Sequence, residues 1–476
     1  LDGLHVIHYF RVGTKLLKKN GLMMRRRGSH WMSIISYHIF LWLYKMGLRL
    51  VSPWNRKARL WLEGRKGLFE KIRAEMEAAA RAQKTGRVIW IHCSSLGEFE
   101  QGRPVMERLK DRAPECRIVL TFFSPSGYTA KKDYAGADHV FYLPPDSPGN
   151  ARRFIDLIRP DLVLWVKYDY WYYFLVELRR RHIPLLLISG IFRPDQPFFR
   201  WYGRLHRYML ECFTHLFVQT EASRVLLEQL RLTEQVSVSG DTRFDRVIEI
   251  AEKAEPLPAI AAFCGQRPVI VAGSTWEEDE EELDHYANTH PDMRFIIAPH
   301  EISEVRLREV ERLFRHSIRY SLWKSDGRRN QGGATGPTGR GATGLTGVGG
   351  WPEPNVLIID NIGMLSRLYG YATIAYIGGG FGDDGVHNVL EAAVYGKPVV
   401  FGPVIEKYIE AIELTDCGGG LIIDSAIEAE KVFNRLLQHS QEYAEAGAAA
   451  KEYVYSRRGA TERIIHYVEE QRLLTS

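Results

Sequence analysis

The sequence predicts an α/β protein made of two Rossmann-like domains in tandem. Three observations carry that reading. Short apolar runs alternate with helical patterns from Arg87 onward, the pattern closes near Gly240 and restarts at Val269, and 476 residues are too many for one ordinary core. Apolar residues make up 45% and charged residues 25%, which excludes global disorder and a polytopic membrane protein.

The strands of the first half are Val88–His92, Arg117–Thr121, Val140–Leu143, Leu162–Val166, Pro184–Ser189, Leu216–Gln219 and Val236–Ser239. Continuous apolar runs of this kind belong to parallel sheets covered on both faces. Glu252–Pro258 is charged and proline-bearing and reads as a linker. Val269–Ala272, Phe295–Ala298, Val356–Ile359, Ile374–Ile377 and Pro398–Phe401 are the strands of the second half. The expected organisation is a front end over residues 1–67, a first domain over 68–250 and a second over 251–476. Ligands in such sheets sit at the carboxyl ends of strands, so both domains are expected to point loops into one cleft. The glycine-rich stretch 324–354 breaks the pattern. Its collagen-like register slips at Arg340, and it reads as a flexible surface insertion.

The formal charge of +5 is weak support for nucleic-acid binding, and its distribution says more. Residues 1–31 carry +6 and residues 32–67 another +6, leaving −7 on the rest. Met32–Tyr44 is an apolar run of 13 residues, short of the ~20 that span a bilayer. It is expected to form an interfacial helix with Trp42, Tyr44 and Trp54 at headgroup depth and cations towards anionic lipid. The alternative is an amphipathic helix packed on the body. Met32 is also an alternative start, with residues 1–31 an upstream extension. The five cysteines form no CxxC pair, so a disulfide framework and a structural zinc are not expected.

Two segments are placed to carry chemistry. Ser94-Ser-Leu-Gly-Glu98 follows a strand and opens a helix. Gly97 permits a tight turn there, and the helix N-terminus is expected to lower the pKa of Glu98. Plain capping by Glu98 is the alternative. Gly378-Gly-Gly-Phe-Gly-Asp-Asp-Gly-Val-His-Asn-Val-Leu-Glu391 also joins a strand to a helix. Its glycines would let N–H groups approach an anion, with His387 and Asn388 near the helix start and Glu391 set to receive a ribose diol. Smaller signals stand after other strands: Gly273-Ser274-Thr-Trp276, Pro299-His300, Asn361-Ile362-Gly363-Met364 and Gly402-Pro403. Arg243, in Gly240-Asp-Thr-Arg-Phe-Asp245, would offer a cation to a carboxylate or phosphate. Lys167 and Asp169 follow the strand Leu162–Val166, as cleft residues or as a solvated ion pair. The acidic run Glu277–Glu282 reads as a solvated helix start, not a metal site.

Together these motifs resemble the Kdo transferases, which move 3-deoxy-D-manno-octulosonic acid from its CMP ester to lipid A precursors. The resemblance runs from about Tyr37 to the C-terminus, without the insertion, and is strongest at Ser94–Glu98, Gly240–Asp245, Gly273–Thr275 and Gly385–Glu391. It implies the GT-B fold, inverting transfer in lipopolysaccharide core assembly, and a place on the cytoplasmic face of the inner membrane. It implies no metal and no resident cofactor, CMP-Kdo being a substrate. The implied partners are a lipid IVA-like acceptor, the CMP-sugar and the anionic membrane surface, with no nucleic acid. Carried over by motif, Glu98 is the general base and Arg243 stands where the family usually has a transition-state Lys. Ser274, Pro299, His300, Ile362, Gly363, Met364, His387, Asn388, Val389, Leu390 and Glu391 fall on donor-binding segments. Two positions depart. Lys167 stands where many members have the first Glu of Glu-x-Glu-x-Trp, leaving Asp169 as the remaining acid, and His300 replaces a common Arg. A GT-B sugar-nucleotide epimerase and a non-catalytic scaffold are the rival readings.

Overall fold

The computed structural model describes residues 28–82, 86–331, 353–383 and 385–474. They divide into two compact units. One runs to Asp245 and takes back the chain from Gly459, and the other is Arg246–Arg458. The sequence boundary at 250 is therefore close, but the end of the second domain is not. The C-terminal helix Ala460–Glu470 lays Ile464, Ile465 and Val468 into the core of the first unit. The expected linker at 252–258 also shifts, because the division falls within the helix Thr242–Glu252.

The first unit holds seven parallel strands: β1 (Val88–Cys93), β2 (Arg117–Phe122), β3 (His139–Tyr142), β4 (Leu162–Val166), β5 (Leu185–Gly190), β6 (His215–Val218) and β7 (Val236–Val238). Their spatial order is β3-β2-β1-β4-β5-β6-β7. Every residue of β1, β4 and β5 is buried, which is why they read as unbroken apolar runs. The order reverses between β1 and β4, and a crevice opens at the carboxyl ends of such a pair.

The second unit repeats the plan with β8 (Val269–Thr275), β9 (Arg294–Pro299), β10 (Ser317–Arg319), β11 (Val356–Ile358), β12 (Ile374–Ile377), β13 (Val399–Phe401) and β14 (Gly420–Ile422). The order is β10-β11-β9-β8-β12-β13-β14, and its reversal lies between β8 and β12. The edge strands β10 and β14 were not expected from sequence: each has three residues, with little buried apolar pattern to announce it. Of the stretch 324–354, residues 332–352 lie outside the described residues. Its first eight residues, 324–331, belong to the helix Tyr320–Gln331, so the insertion begins later than expected.

The front-end helix Gly28–Val51 packs on the first unit through Tyr37, whose hydroxyl donates to Asp146 Oδ2 at 2.6 Å. Asp146 also accepts from the N–H groups of Tyr173 and Phe174, which locks the helix to the sheet layer. The other face leaves Met32, Ile35, Ile39, Trp42, Leu43 and Leu50 exposed. Two expectations change. Tyr44 turns to the body, against Trp61 and Phe123, rather than outward. Arg65, one of the front-end cations, is spent inside, donating to the carbonyls of Trp61, Phe123 and Leu143. No helix among the described residues is long and apolar enough to cross a membrane.

Candidate active site

The first site stands at the carboxyl ends of β1 and β4. Ser95 caps the helix Leu96–Arg112, its hydroxyl accepting from the Glu98 N–H at 3.3 Å. The cap turns the Glu98 side chain back over the strand end, where Ser94 N–H donates to Oε2 at 2.5 Å and Tyr168 N–H donates as well. Gly97 needs no unusual turn, since it lies in the helix and a Cβ there would meet only Ser95 Oγ at 3.9 Å. The glycine that matters is Gly102. A Cβ there would stand 3.0 Å from Val166 Cγ2, so its absence lets the helix settle on β4.

Glu98 is 7% exposed, and its pKa is raised to about 8, first by burial and then by Asp169. This corrects the expectation of a lowered value. Helix-terminus stabilisation is a surface-scale effect, and desolvation exceeds it. Asp169 is raised too, by burial, and draws on a side-chain hydrogen bond from Ser94. Ser94 thus serves both acids, and two buried carboxyls this close favour holding a proton between them. His92 behind them is held neutral, burial pushing its pKa down to about 3.

Lys167 does not pair with Asp169. It takes a left-handed φ of 59° and feels Asp241, Glu98 and Arg243, and burial lowers its pKa to about 8. Such strain in a non-glycine residue clusters at functional sites. Arg243 also stands differently from the expectation of a cation held for substrate. Its Nε and Nη2 donate to Asp241 Oδ2 at 2.9 and 2.7 Å. The Asp241 carboxylate is buried, held below its usual range by Arg243 and Lys167, and it also accepts from Gln101 Nε2 at 3.1 Å. Sequence reasoning missed Asp241 and Gln101, although Asp241 lies inside a motif already singled out.

The second site stands at the carboxyl ends of β8 and β12. Ser274 has φ 56°, and a Cβ on Gly378 would stand 2.4 Å from its carbonyl oxygen, so glycine lets the two strand ends meet. Trp276 Nε1 donates to His387 Nε2 at 3.0 Å. His300 stacks on both rings, 4.5 Å from Trp276 and 4.6 Å from His387 between centroids. His300 N–H donates to Thr275 O at 2.9 Å, which ties buried Pro299 and the end of β9 to this cluster. Leu365 and Tyr369 pack over Gly273, bringing the segment after Ile362, Gly363 and Met364 to β8. Ile362 itself is 90% exposed.

Two expectations about this site are corrected. The helix after the glycine turn is only Leu390–Ala393, four residues, too short to supply much of a dipole. Asn388 Nδ2 donates to Glu391 Oε1 at 3.0 Å, and Asn388 Oδ1 accepts from Leu390 N–H, so Glu391 and the cap serve one another beside buried Val389 and Leu390. The acidic run is not simply solvated either. Asp279 and Glu280 are fully buried. Asp279 Oδ2 accepts from Gly379 N–H at 2.7 Å and Trp276 N–H at 2.9 Å, and Oδ1 from Tyr376 hydroxyl at 2.8 Å. Asp279 is therefore the brace of the glycine turn. Helical spacing back from Leu283 and Tyr286 was the signal that marks its buried face. No group of three metal-ligating side chains occurs among the described residues.

A family model described as 3-deoxy-D-manno-octulosonic-acid transferase (kdotransferase) matches residues 66–246. The 3-deoxy-D-manno-octulosonic acid transferase of Bordetella pertussis is 26% identical, over 91% of this chain and 96% of that protein. That of Chlamydophila psittaci is 26% identical over 76% and 79%. A bifunctional glycosyltransferase/methyltransferase of Fusobacterium nucleatum is 25% identical over 82% of this chain, which spans 56% of that longer protein. Among solved structures, UDP-GlcNAc 2-epimerase from Neisseria meningitidis superposes with a TM-score of 0.53 at 16% identity, covering 81% of this chain and all of that one, a likeness of fold alone. Two parallel sheets with a site at each reversal of strand order give the chain the GT-B fold, and along most of its length it is similar to 3-deoxy-D-manno-octulosonic acid transferases.

Proposed function

We propose that the protein transfers Kdo from CMP-Kdo to a lipid IVA-like lipid A precursor, with inversion, in lipopolysaccharide core biosynthesis. The observation that carries this is Glu98: a buried carboxyl at a strand-order reversal, whose pKa of about 8 suits a base working near neutrality. A primary hydroxyl of the acceptor attacks the anomeric carbon of Kdo, and Glu98 takes the hydroxyl proton. The bond from that carbon to the CMP phosphate oxygen breaks, and CMP leaves with the electron pair. General-base assistance of this kind is worth ~10²–10⁴-fold. In the second unit, the glycine turn braced by Asp279 and the rings of Trp276, His300 and His387 would hold the nucleotide, with Ser274 at the turn. The scheme uses no resident cofactor and no metal.

The same reading places the enzyme on the cytoplasmic face of the inner membrane. The exposed apolar side of Gly28–Val51 and the cations of residues 32–67 other than Arg65 support it, since apolar burial and cationic attraction add at an anionic surface. Incubation with CMP-Kdo and a tetraacylated disaccharide acceptor, read by mass spectrometry, tests the activity. A Kdo residue gained on the lipid with release of CMP is expected. An altered sugar nucleotide with unmodified lipid indicates an epimerase instead, and neither change indicates a scaffold.

A further inference from the structure

We propose that Lys167 and Arg193 form an oxyanion-binding site beside Glu98, which takes a carboxylate or phosphate group of a substrate. The two residues leave neighbouring strand ends. β4 and β5 pair in parallel with Val166 opposite Ile188, and Lys167 N–H donates to Ile188 O at 3.2 Å. Arg193 follows three residues after the end of β5, its backbone N–H fixed by Gln196 Oε1 at 3.1 Å. The Lys167 ammonium lies over the Tyr168 ring, and the Arg193 charge acts on both Lys167 and Tyr168, so the two cations share one locality.

The charge balance there is uneven. Asp241 is committed to Arg243 through two guanidinium bonds, and those two charges cancel. Glu98 and Asp169 are both disposed to hold a proton. That leaves Lys167 and Arg193 as surplus cations. Among the described residues, the Lys167 ammonium makes no hydrogen bond or ion pair and lies over the Tyr168 ring at 5.1 Å, and the Arg193 guanidinium has no acidic partner. A half-buried ammonium without an anion is costly, and the left-handed backbone at Lys167 holds it there. The missing counter-charge is best supplied by a ligand. A compact ammonium and a planar guanidinium suit the oxygens of a carboxylate or phosphate.

On the transferase reading, the anion is either the carboxylate of the transferred sugar acid or a phosphate on the acceptor lipid. The test uses the full chain and its K167M and R193M variants, checked for folding by thermal melting. Calorimetric titration with inorganic phosphate should show binding that weakens about tenfold in each variant. In the transfer assay, one Michaelis constant should rise by about tenfold in each variant, with the larger share of the loss in KM rather than kcat. A rise confined to the donor KM assigns the sugar carboxylate, and a rise confined to the acceptor KM assigns the lipid phosphate. R193K should recover part of the loss. Phosphate binding and both KM values unchanged in the two variants would overturn the proposal. If no transfer occurs with wild type, the functional reading fails, and the phosphate titration still decides the anion site.

Discussion

The two strand-order reversals occupy equivalent places in their sheets and are furnished in opposite ways. At β1 and β4 the furnishing is charge: Glu98, Asp169, Lys167, Asp241 and Arg243, most of them withdrawn from water. At β8 and β12 it is main chain and aromatic rings, with Asp279 consumed in holding Gly379, Trp276 and Tyr376. On the proposed function, the difference follows from the work assigned to each site. Moving a proton needs a titratable group tuned by burial and neighbours, whereas holding a flat nucleotide needs ring faces in fixed positions. The same fold supports both because the sheet fixes only where the loops emerge.

The comparison breaks most sharply at Glu98. E98Q keeps the side-chain shape and the Ser94 contact, so it should fold and lose about 10²–10⁴-fold in turnover. Near-normal turnover would remove the base from the first site. The same variant reports on stability. Ionising Glu98 in its buried place is unfavourable, so its folded-state pKa lies above the unfolded one. The stability contributed by the neutral acid is complete below the unfolded value of about 4.3 and lost as pH rises through about 8. Melting temperatures of wild type should therefore fall relative to E98Q between pH 5 and pH 9, and parallel curves would contradict the assignment.

At the second site the expected effects are structural. D279A strips the acceptor from three donors and should cost about 1–3 kcal/mol by denaturant unfolding, while raising the donor KM more than the acceptor KM. Equal effects on both constants would mean that the turn has no particular tie to the donor. W276F keeps a ring against His300 but removes the N–H given to His387. It should cost about 1 kcal/mol and change the donor KM only modestly, and a loss as large as that of D279A would rank the rings above the brace.

How much of this was legible in the sequence depended on what each feature obeys. The strands read clearly because both faces of β1, β4 and β5 are covered, so no charged residue interrupts them and the polar His92 and Ser189 come only near their ends. Glu98, Arg243 and the glycine turn are singled out by motif. The pKa of Glu98 went the other way because the local sequence shows the helix start but not Asp169, 71 positions on, nor the burial both share. Asp279 was hidden by its acidic neighbours, since composition outvoted helical phase. Arg193 carries no motif at all, and only strand adjacency brings it beside Lys167. The return of Ala460–Glu470 to the first unit is a tertiary choice that no window of sequence contains.

At the first site, the proton affinity of the proposed base Glu98 is set by burial and by the neighbouring Asp169 carboxyl. The pH dependence of kcat for Kdo transfer by wild type and by D169N tests it most directly. Wild-type activity should rise with pH along a limb centred near pH 8, and in D169N, with one of the two raising influences removed, that limb should move to lower pH. A limb near pH 4 to 5 in wild type, or the same limb in both proteins, would contradict it.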